Sequence, residues 1–386
     1  MLAAFFSLPQ LPLRAITRNI VRNMSGVQAL KHPKFISVEG ADIYSRSKSD
    51  GIRFRFVSYN ILAQVYVKSS FFPHSPSSCL RWKARSQAIL AVLKNLEADF
   101  LCLQEVDEYD SFYNGNLERC GYSSLYIQRS GQKRDGCGIF FKRENAELII
   151  EDRIEYNDLV NSMQDDDCSC EENSASHDVE SSKGSSPKTT LADRGDPNDP
   201  RVRLKRDCVG IMAAFRLKKP FHHVVIVANT HLYWDPEWAD VKLAQAKYLL
   251  SRLARFKTLV SEKFECTPSI LLAGDFNSTP GDKVYQCLVS GKSSSELSPE
   301  CLEELPLPLS SVYATTLGRE PSFTNFTPGF TGTLDYIFFS PSDSIRPISL
   351  LELPESECPE VIGGLPNFSY PSDHLPIGAD FEITME

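Results

Sequence analysis

ILLAGDFN, residues 270–277, decides how this chain is read. Ile270 to Ala273 form a short continuous apolar run, the pattern of a strand buried on both faces. Asp275 and Asn277 then follow, polar groups that a buried strand would not tolerate in its middle, so they belong at its end. The same design recurs outward along the chain. FVSYN ends at Asn60, FLCLQE at Glu105 and VVIVANTH at His231. Two further runs mirror it, with the polar group ahead of the strand: Asp335 in TLDYIFF, and Asp373 and His374 in SDHLPIGADF. Strands in stacked sheets would deliver all these groups to one rim. Carboxylates, amides and imidazoles would there line a cleft for an anion and a hard cation.

Between these runs the chain alternates extended and helical patterns, the mark of an α/β layered domain. The pattern predicts strands at 54–59, 100–103, 138–142, 224–229, 269–273, 336–339 and 377–383. Ile89, Val92, Leu93 and Leu96 share one stripe of a helix over 81–97. A long helix is expected from Asp235, as cap, with Pro236 at its first position, to about Phe264. Residues 157–200 show no hydrophobic periodicity and are rich in Ser, Asp, Glu, Asn and Pro, which predicts a disordered insert within a domain spanning 51–386. A second polar stretch, 290–308, reads as a surface excursion. No internal repeat is present.

The 386 residues are 42% hydrophobic and 24% charged, which excludes fibrous and wholly disordered classes. The net charge of -9 is concentrated in residues 157–200, with eleven acids against three bases; the other 342 residues are nearly neutral, with 39 acids and 38 bases. Overall acidity therefore does not argue against a nucleic-acid partner. The eleven cysteines include no C-x-x-C pair, and Cys168 and Cys170 with His177 fall short of a zinc set, so free thiols in a reducing compartment are expected. No apolar run is long enough to span a membrane. Residues 1–50 read as a separate basic segment: Arg14, Arg18 and Arg22 recur every four residues opposite Leu13, Ile16 and Ile20, as in an organelle-import presequence, or as in a merely basic disordered arm. Initiation at Met24 would remove that arginine helix and leave a cytosolic form.

Taken singly these motifs are weak, but their joint order resembles the endonuclease/exonuclease/phosphatase superfamily. SYNILAQVY (58–66), LRWKARSQAIL (80–90), LCLQEVDEYD (101–110), KRDGCGIFFK (133–142), NTHLYWDP (229–236), LLAGDFNSTP (271–280) and YPSDHLPI (370–377) are similar to its carbon catabolite repressor deadenylase branch, which includes nocturnin and the angel proteins. The likeness covers about residues 53–383. It implies a deoxyribonuclease I-like, four-layer α/β sandwich with two stacked mixed β-sheets flanked by helices. It also implies residence in cytoplasm or nucleus, while the Arg-rich amino terminus predicts mitochondrial import of the full-length form. Two departures stand out. The leucine-rich repeats by which larger deadenylases dock to their complex are absent, which argues against complex membership. Leu62 occupies the place of an acid in abasic-site endonucleases, which disfavours that branch.

Roles follow from chemistry beside the resemblance. Phosphodiester hydrolysis needs a cation against the phosphoryl oxygens, an activated water and a stabilised leaving oxyanion. Glu105 is the expected magnesium ligand, with Asp373 holding a second ion; manganese is an alternative occupant. Asp275 is expected to orient or deprotonate water, and Asn60 and Asn277 to donate amide hydrogens to phosphate. His231 and His374 face the phosphate in the resembling family, and Asp335 would hold the His374 ring and favour its cationic form. Pro236 and Phe330 match the spacing of that family's adenine clamp, although a helix-start proline and a packed loop aromatic fit the same sequence. Lys133, Arg134 and Arg143 flank the run at 138–142 and are candidates for distal phosphates.

The expected activity is a magnesium-dependent 3′–5′ exoribonuclease acting as a poly(A)-specific deadenylase in mRNA turnover. The alternative is a nocturnin-like 2′-phosphatase acting on a phosphorylated adenine dinucleotide such as NADP(H). A catalytically inert RNA-binding scaffold is the third reading, disfavoured because a binding module has no need of Glu105 and Asp275 together.

Overall fold

Strands apolar on both faces need a cover on each side, and the chain supplies it in four layers. The computed structural model describes residues 34–38, 51–162, 196, 198–290, 307–342 and 344–384. One sheet has seven strands in the spatial order β1 (Phe35–Ser37), β14 (Ile345–Leu351), β15 (Ile377–Ile383), β2 (Ile52–Asn60), β3 (Phe100–Gln104), β5 (Gly136–Lys142) and β4 (Tyr122–Gln128). The other has six: β10 (Ser310–Ser311), β13 (Asp335–Phe339), β9 (Ser269–Asp275), β8 (His223–His231), β7 (Val209–Leu217) and β6 (Ala146–Glu155). A two-stranded ribbon, β11 (Asn325–Thr327) and β12 (Phe330–Gly332), stands apart. The β2–β3 and β8–β9 pairs are parallel and the rest antiparallel, so both sheets are mixed.

Period-two alternation sorts the side chains between layers. Phe54 and Phe56 of β2 face the second sheet, joining Val225, Val227, Leu271 and Ala273 in the central core. Phe100 crosses that interface to meet Phe215 edge-on, ring centres 5.2 Å apart. Val57 and Tyr59 turn outward onto Ile89 and Leu93 of the helix Trp82–Leu96. On the opposite outer face, Leu249, Leu253 and Phe256 of the helix Ala239–Phe264 cover Met212, Ile226 and Leu272.

Several expectations shift. The long helix begins at Ala239, not Asp235. Asp235 instead accepts from Glu237 N (3.0 Å) in a turn, leaving Pro236 exposed ahead of the helix. Phe35–Ser37 pairs with β14, so the sheet recruits an edge strand from the segment read as lying outside the domain. The insert begins later than expected: Tyr156–Asp158 and Leu159–Ser162 are helical, with Val160 buried. At its far side Asp199 caps Pro200–Arg203. β4 and β6 lack a continuous apolar run because polar residues interrupt them, and β1, β7 and β14 are further strands beyond those expected. The arginine-rich amino terminus, the core of the acidic insert with Cys168, Cys170 and His177, and residues 291–306 lie outside the described residues.

A polar lock joins the sheets near their common rim. Gln104 of β3 donates to Asn229 of β8 (2.7 Å), and Asn229 Nδ2 donates to Leu103 O and Gly138 O (both 2.9 Å). Both side chains are buried, so removing one partner strands the others without water. Asn229→Ala is expected to lower stability by about 2–3 kcal/mol, measured by urea unfolding; an unchanged midpoint would show that the lock is dispensable.

Candidate active site

Sheet register places the polar groups. His231 at the end of β8 lies opposite Asp275 at the end of β9, and Asp275 lies opposite Asp335 at the start of β13. In the other sheet Asn60 pairs in register with Gln104, and Glu105 follows directly. The segment before β15 brings Asp373 and His374 alongside, where His374 bridges Asn325 of β11. Gly274 is required here: a Cβ would lie 2.0 Å from Thr230 O, so only glycine lets β9 approach β8 so closely just before Asp275. Glu105 and Asn277 both adopt left-handed backbone, φ 59° and 47°. For Glu105 this is a strained conformation, held by what surrounds it.

Asp275 is the hub. Its Oδ2 accepts from Asn60 Nδ2 (2.9 Å) and faces Nε2 of His231 (3.5 Å) and of His374 (3.7 Å); its Oδ1 accepts from Asn277 N (3.0 Å). His374 Nδ1 meets Asp335 Oδ2 at 2.7 Å, and Thr324 Oγ1 donates to the same oxygen (2.6 Å). The two imidazoles therefore differ. Burial holds His231 below the usual imidazole range, with Asp275 only partly offsetting it. Burial acts on His374 too, but Asp335 and Asp275 outweigh it and hold its pKa well above the usual value. Burial and the neighbouring Asp335 raise Asp275, opposed by both histidines and by Asn60.

Glu105 forms a second centre. Its Oε1 accepts from Asn60 Nδ2 (3.0 Å) and its Oε2 from Ala63 N (2.9 Å). Burial, then the charges of Asp373 and Asp135, push its pKa up to about 7. Glu105 thus offers buried oxygen donors in the field of two further acids, a setting that a hard divalent cation would relieve. Among the described residues, however, the donor atoms brought within 4.8 Å of one another belong to Asp275, Asp335 and His374, not to Glu105 and Asp373. In that trio Nδ1 of a cationic ring is already bonded to Asp335, so it reads better as a carboxylate–imidazole relay than as a metal cage.

Other expectations are corrected. Asn60 spends both amide hydrogens on Glu105 and Asp275, so it ties carboxylates together and has none left for phosphate. Asn277 gives one hydrogen to Leu232 O (3.0 Å) and keeps the other. Arg143 lies at the far end of β5 against Glu118 and cannot serve this rim, whereas Lys133 and Arg134 occupy the hairpin before β5. Arg134 is exposed and 4.0 Å from Glu108. Pro236 and Phe330 are both exposed, on the loop after β8 and at the start of β12.

Four contributors went unread in the sequence. Asp135, buried, accepts from Tyr66 OH (2.6 Å), faces Arg129 (3.5 Å) and adds to the field at Glu105. Arg85, buried on the helix Trp82–Leu96, donates to Leu62 O and Pro371 O and so clamps the loops after Asn60 and before Asp373. Lys242 donates to Asn277 O (2.7 Å), and Thr324 orients Asp335. The one available signal was a charged residue, Arg85 or Lys242, on an otherwise apolar helical stripe.

The chain is similar to known proteins over most of its length. The model of the endonuclease/exonuclease/phosphatase family matches residues 57–374. The Arabidopsis thaliana protein named carbon catabolite repressor protein 4 homolog 4 is 60% identical over 97% of this chain and 96% of its own length. A probable CCR4-Not complex 3′-5′-exoribonuclease subunit Ccr4 from Encephalitozoon cuniculi is 31% identical over 84% of this chain, which spans 61% of that protein. Among solved structures, ANGEL2, a 2′,3′-cyclic phosphatase crystallised with adenosine-2′,3′-vanadate, superposes with a TM-score of 0.67 at 26% identity, over 92% of this chain and 99% of that one. The human nocturnin catalytic domain with bound sulfate, at 24% identity and a TM-score of 0.58 over 91% of this chain and 97% of its own, shares the fold.

Two predictions follow from the electrostatics. Asp335→Asn removes the charge that keeps His374 cationic, so the His374 titration, read by NMR, should move to lower pH. Activity should then be lost earlier on the alkaline side, with kcat lower by about 10- to 100-fold; an unmoved titration would refute the relay. In the metal-free chain, Glu105 keeps its proton up to about pH 7 while the unfolded chain ionises it near 4.5, so its ionisation opposes folding as pH rises through that window. Glu105→Gln should therefore stabilise the metal-free protein at pH 8 by about 1–2 kcal/mol and have no such effect at pH 4, checked by thermal unfolding in chelator.

Proposed function

Because the chain belongs to the endonuclease/exonuclease/phosphatase family, we propose that this hydrolase is a magnesium-dependent 3′–5′ exoribonuclease that removes adenylates from the 3′ ends of mRNA. The observation that carries the reading is the Asp275 hub: one buried carboxylate between an imidazole lowered and an imidazole raised in pKa, tied through Asn60 to the buried Glu105.

Each residue has a task there. Asp275, with its raised pKa, orients the attacking water and accepts its proton. Cationic His374, steadied by Asp335, places positive charge against the developing phosphoryl charge. Neutral His231 offers a hydrogen bond without adding charge, and Asn277 gives its free amide hydrogen to a phosphate oxygen. Glu105, supported by Asp373 and the nearby Asp135, would hold magnesium, which supplies charge neutralisation at the phosphoryl oxygens when bound. Pro236 and Phe330 enclose the terminal adenine, and Lys133 and Arg134 meet backbone phosphates beyond it.

The relatives favour RNA. A 60% identical protein named for the carbon catabolite repressor and others named as 3′-5′-exoribonuclease subunits support this reading over dinucleotide phosphatase activity. Membership of a multi-subunit assembly is not part of the proposal.

The test is direct. Purified chain with magnesium and a 3′-adenylate-tailed RNA should release AMP, at a rate lowered at least about 10³-fold by Glu105→Ala and by His374→Ala. Parallel reactions contain NADPH or adenosine 2′,3′-cyclic phosphate. Phosphate from NADPH without AMP from RNA would replace the reading, and full activity of Glu105→Ala would end the metal assignment.

A further inference from the structure

Among the described residues, two exposed phenylalanines, Phe71 and Phe368, lie on loops fastened to each other and linked to the segment that carries Asp373. Phe71 is 63% exposed and Phe368 is 48% exposed, whereas Phe72, next to Phe71, is 7% exposed and anchors its loop beside Leu62 and Leu80. The two loops are fastened together: His74 Nε2 meets Leu365 O at 2.7 Å, and Ser75 Oγ donates to Pro366 O at 2.6 Å. Gly364 fits between His74 and Pro328, where a Cβ would lie 3.0 and 2.9 Å from them, so the β11–β12 ribbon that carries Phe330 closes on the same point.

This assembly is continuous with the active site. Leu365 N donates to Phe326 O (2.8 Å), Phe326 N donates to Asp373 O (3.1 Å), and Phe368 precedes Asp373 by five residues. Arg85 ties the loop after Asn60 to Pro371 from beneath. Lys68, exposed, sets its ammonium 5.3 Å from the centre of the Phe71 ring. Exposed rings held by fixed loops, with a cation alongside, have the chemistry of single-stranded nucleic acid: bases stack on the rings and the cation meets the backbone phosphate. A protein partner would explain the apolar area but not the lysine beside the ring or the continuity with the site.

We propose that Phe71, Phe368 and Lys68 form a stacking subsite for nucleotides of single-stranded RNA upstream of the terminal adenylate. The proposal rests on the exoribonuclease reading and adds to it. The subsite rewards length, since only a chain that extends past the terminal base reaches it, and it reads no sequence because every base offers a stacking face.

The experiment compares decaadenylate with the dinucleotide ApA, in wild type, Phe71→Ala, Phe368→Ala and Phe71→Trp. Both alanine variants should raise KM for decaadenylate about tenfold and leave its kcat and all ApA kinetics unchanged. Phe71→Trp should restore the wild-type KM and show fluorescence quenching on binding decaadenylate. Equal losses on ApA would show a general defect and overturn the subsite. An unchanged KM for decaadenylate would also overturn it and make the patch a protein-contact surface. Failure of the exoribonuclease reading is seen separately, as no AMP from decaadenylate with wild type. In that case equal decaadenylate affinity of wild type and Phe71→Ala, by fluorescence anisotropy, overturns the subsite too.

Discussion

The side-chain amide of Asn60 holds the two halves of this molecule to one geometry. One of its hydrogens goes to Glu105 in its own sheet and the other to Asp275 in the facing sheet. A buried amide leaves no spare donor and tolerates little displacement, because an unpaired carboxylate in that setting is costly. Gln104 and Asn229 repeat the device one step inward. The cores on either side are apolar and directionless, so these bonds supply the register that dispersion and burial cannot.

The electrostatics follow from that register. Burial lowers the pKa of His231, with Asp275 only partly opposing it, whereas Asp335 behind His374, together with Asp275, outweighs burial there and raises that ring. One site thus offers a fixed positive charge and a neutral hydrogen-bonding ring without any movement. At Glu105 burial, then the charges of Asp373 and Asp135, raise the carboxyl's pKa, a setting that a cation would relieve. Charge against the phosphoryl oxygens and a group to take up the proton of water are what hydrolysis of a phosphate ester requires.

Such a site does not choose among phosphate esters. The solved relatives include a 2′,3′-cyclic phosphatase, and the chain shares its fold over nearly its whole length. Under the proposals above, choice of substrate would fall to the loops carrying Pro236, Phe330, Phe71 and Phe368, whose side chains are exposed.

Much was legible in the sequence because the sandwich leaves a local mark. A strand covered on both faces must be apolar throughout, so a polar residue at its end, such as Asn60, Glu105, His231 or Asp275, stands out by contrast. Polar-interrupted strands such as β4 and β6 carry no such mark, and their sheet partners define them. Asp235 had the chemistry of a helix cap, yet the turn it makes delays the helix to Ala239. By itself, then, the sequence determined the α/β alternation, the ends of the strands that carry the site and the residue types at the rim. Only the tertiary structure decided what those residues do to one another: that Asn60 serves carboxylates and not phosphate, that Asp135, Arg85 and Lys242 belong to the site, and that the two histidines differ in charge. Hydrophobic patterning is a local property of a chain, whereas a hydrogen-bond partner or a pKa depends on distances between segments well separated in sequence, from 35 residues for Lys242 and Asn277 to 215 for Asn60 and Asp275.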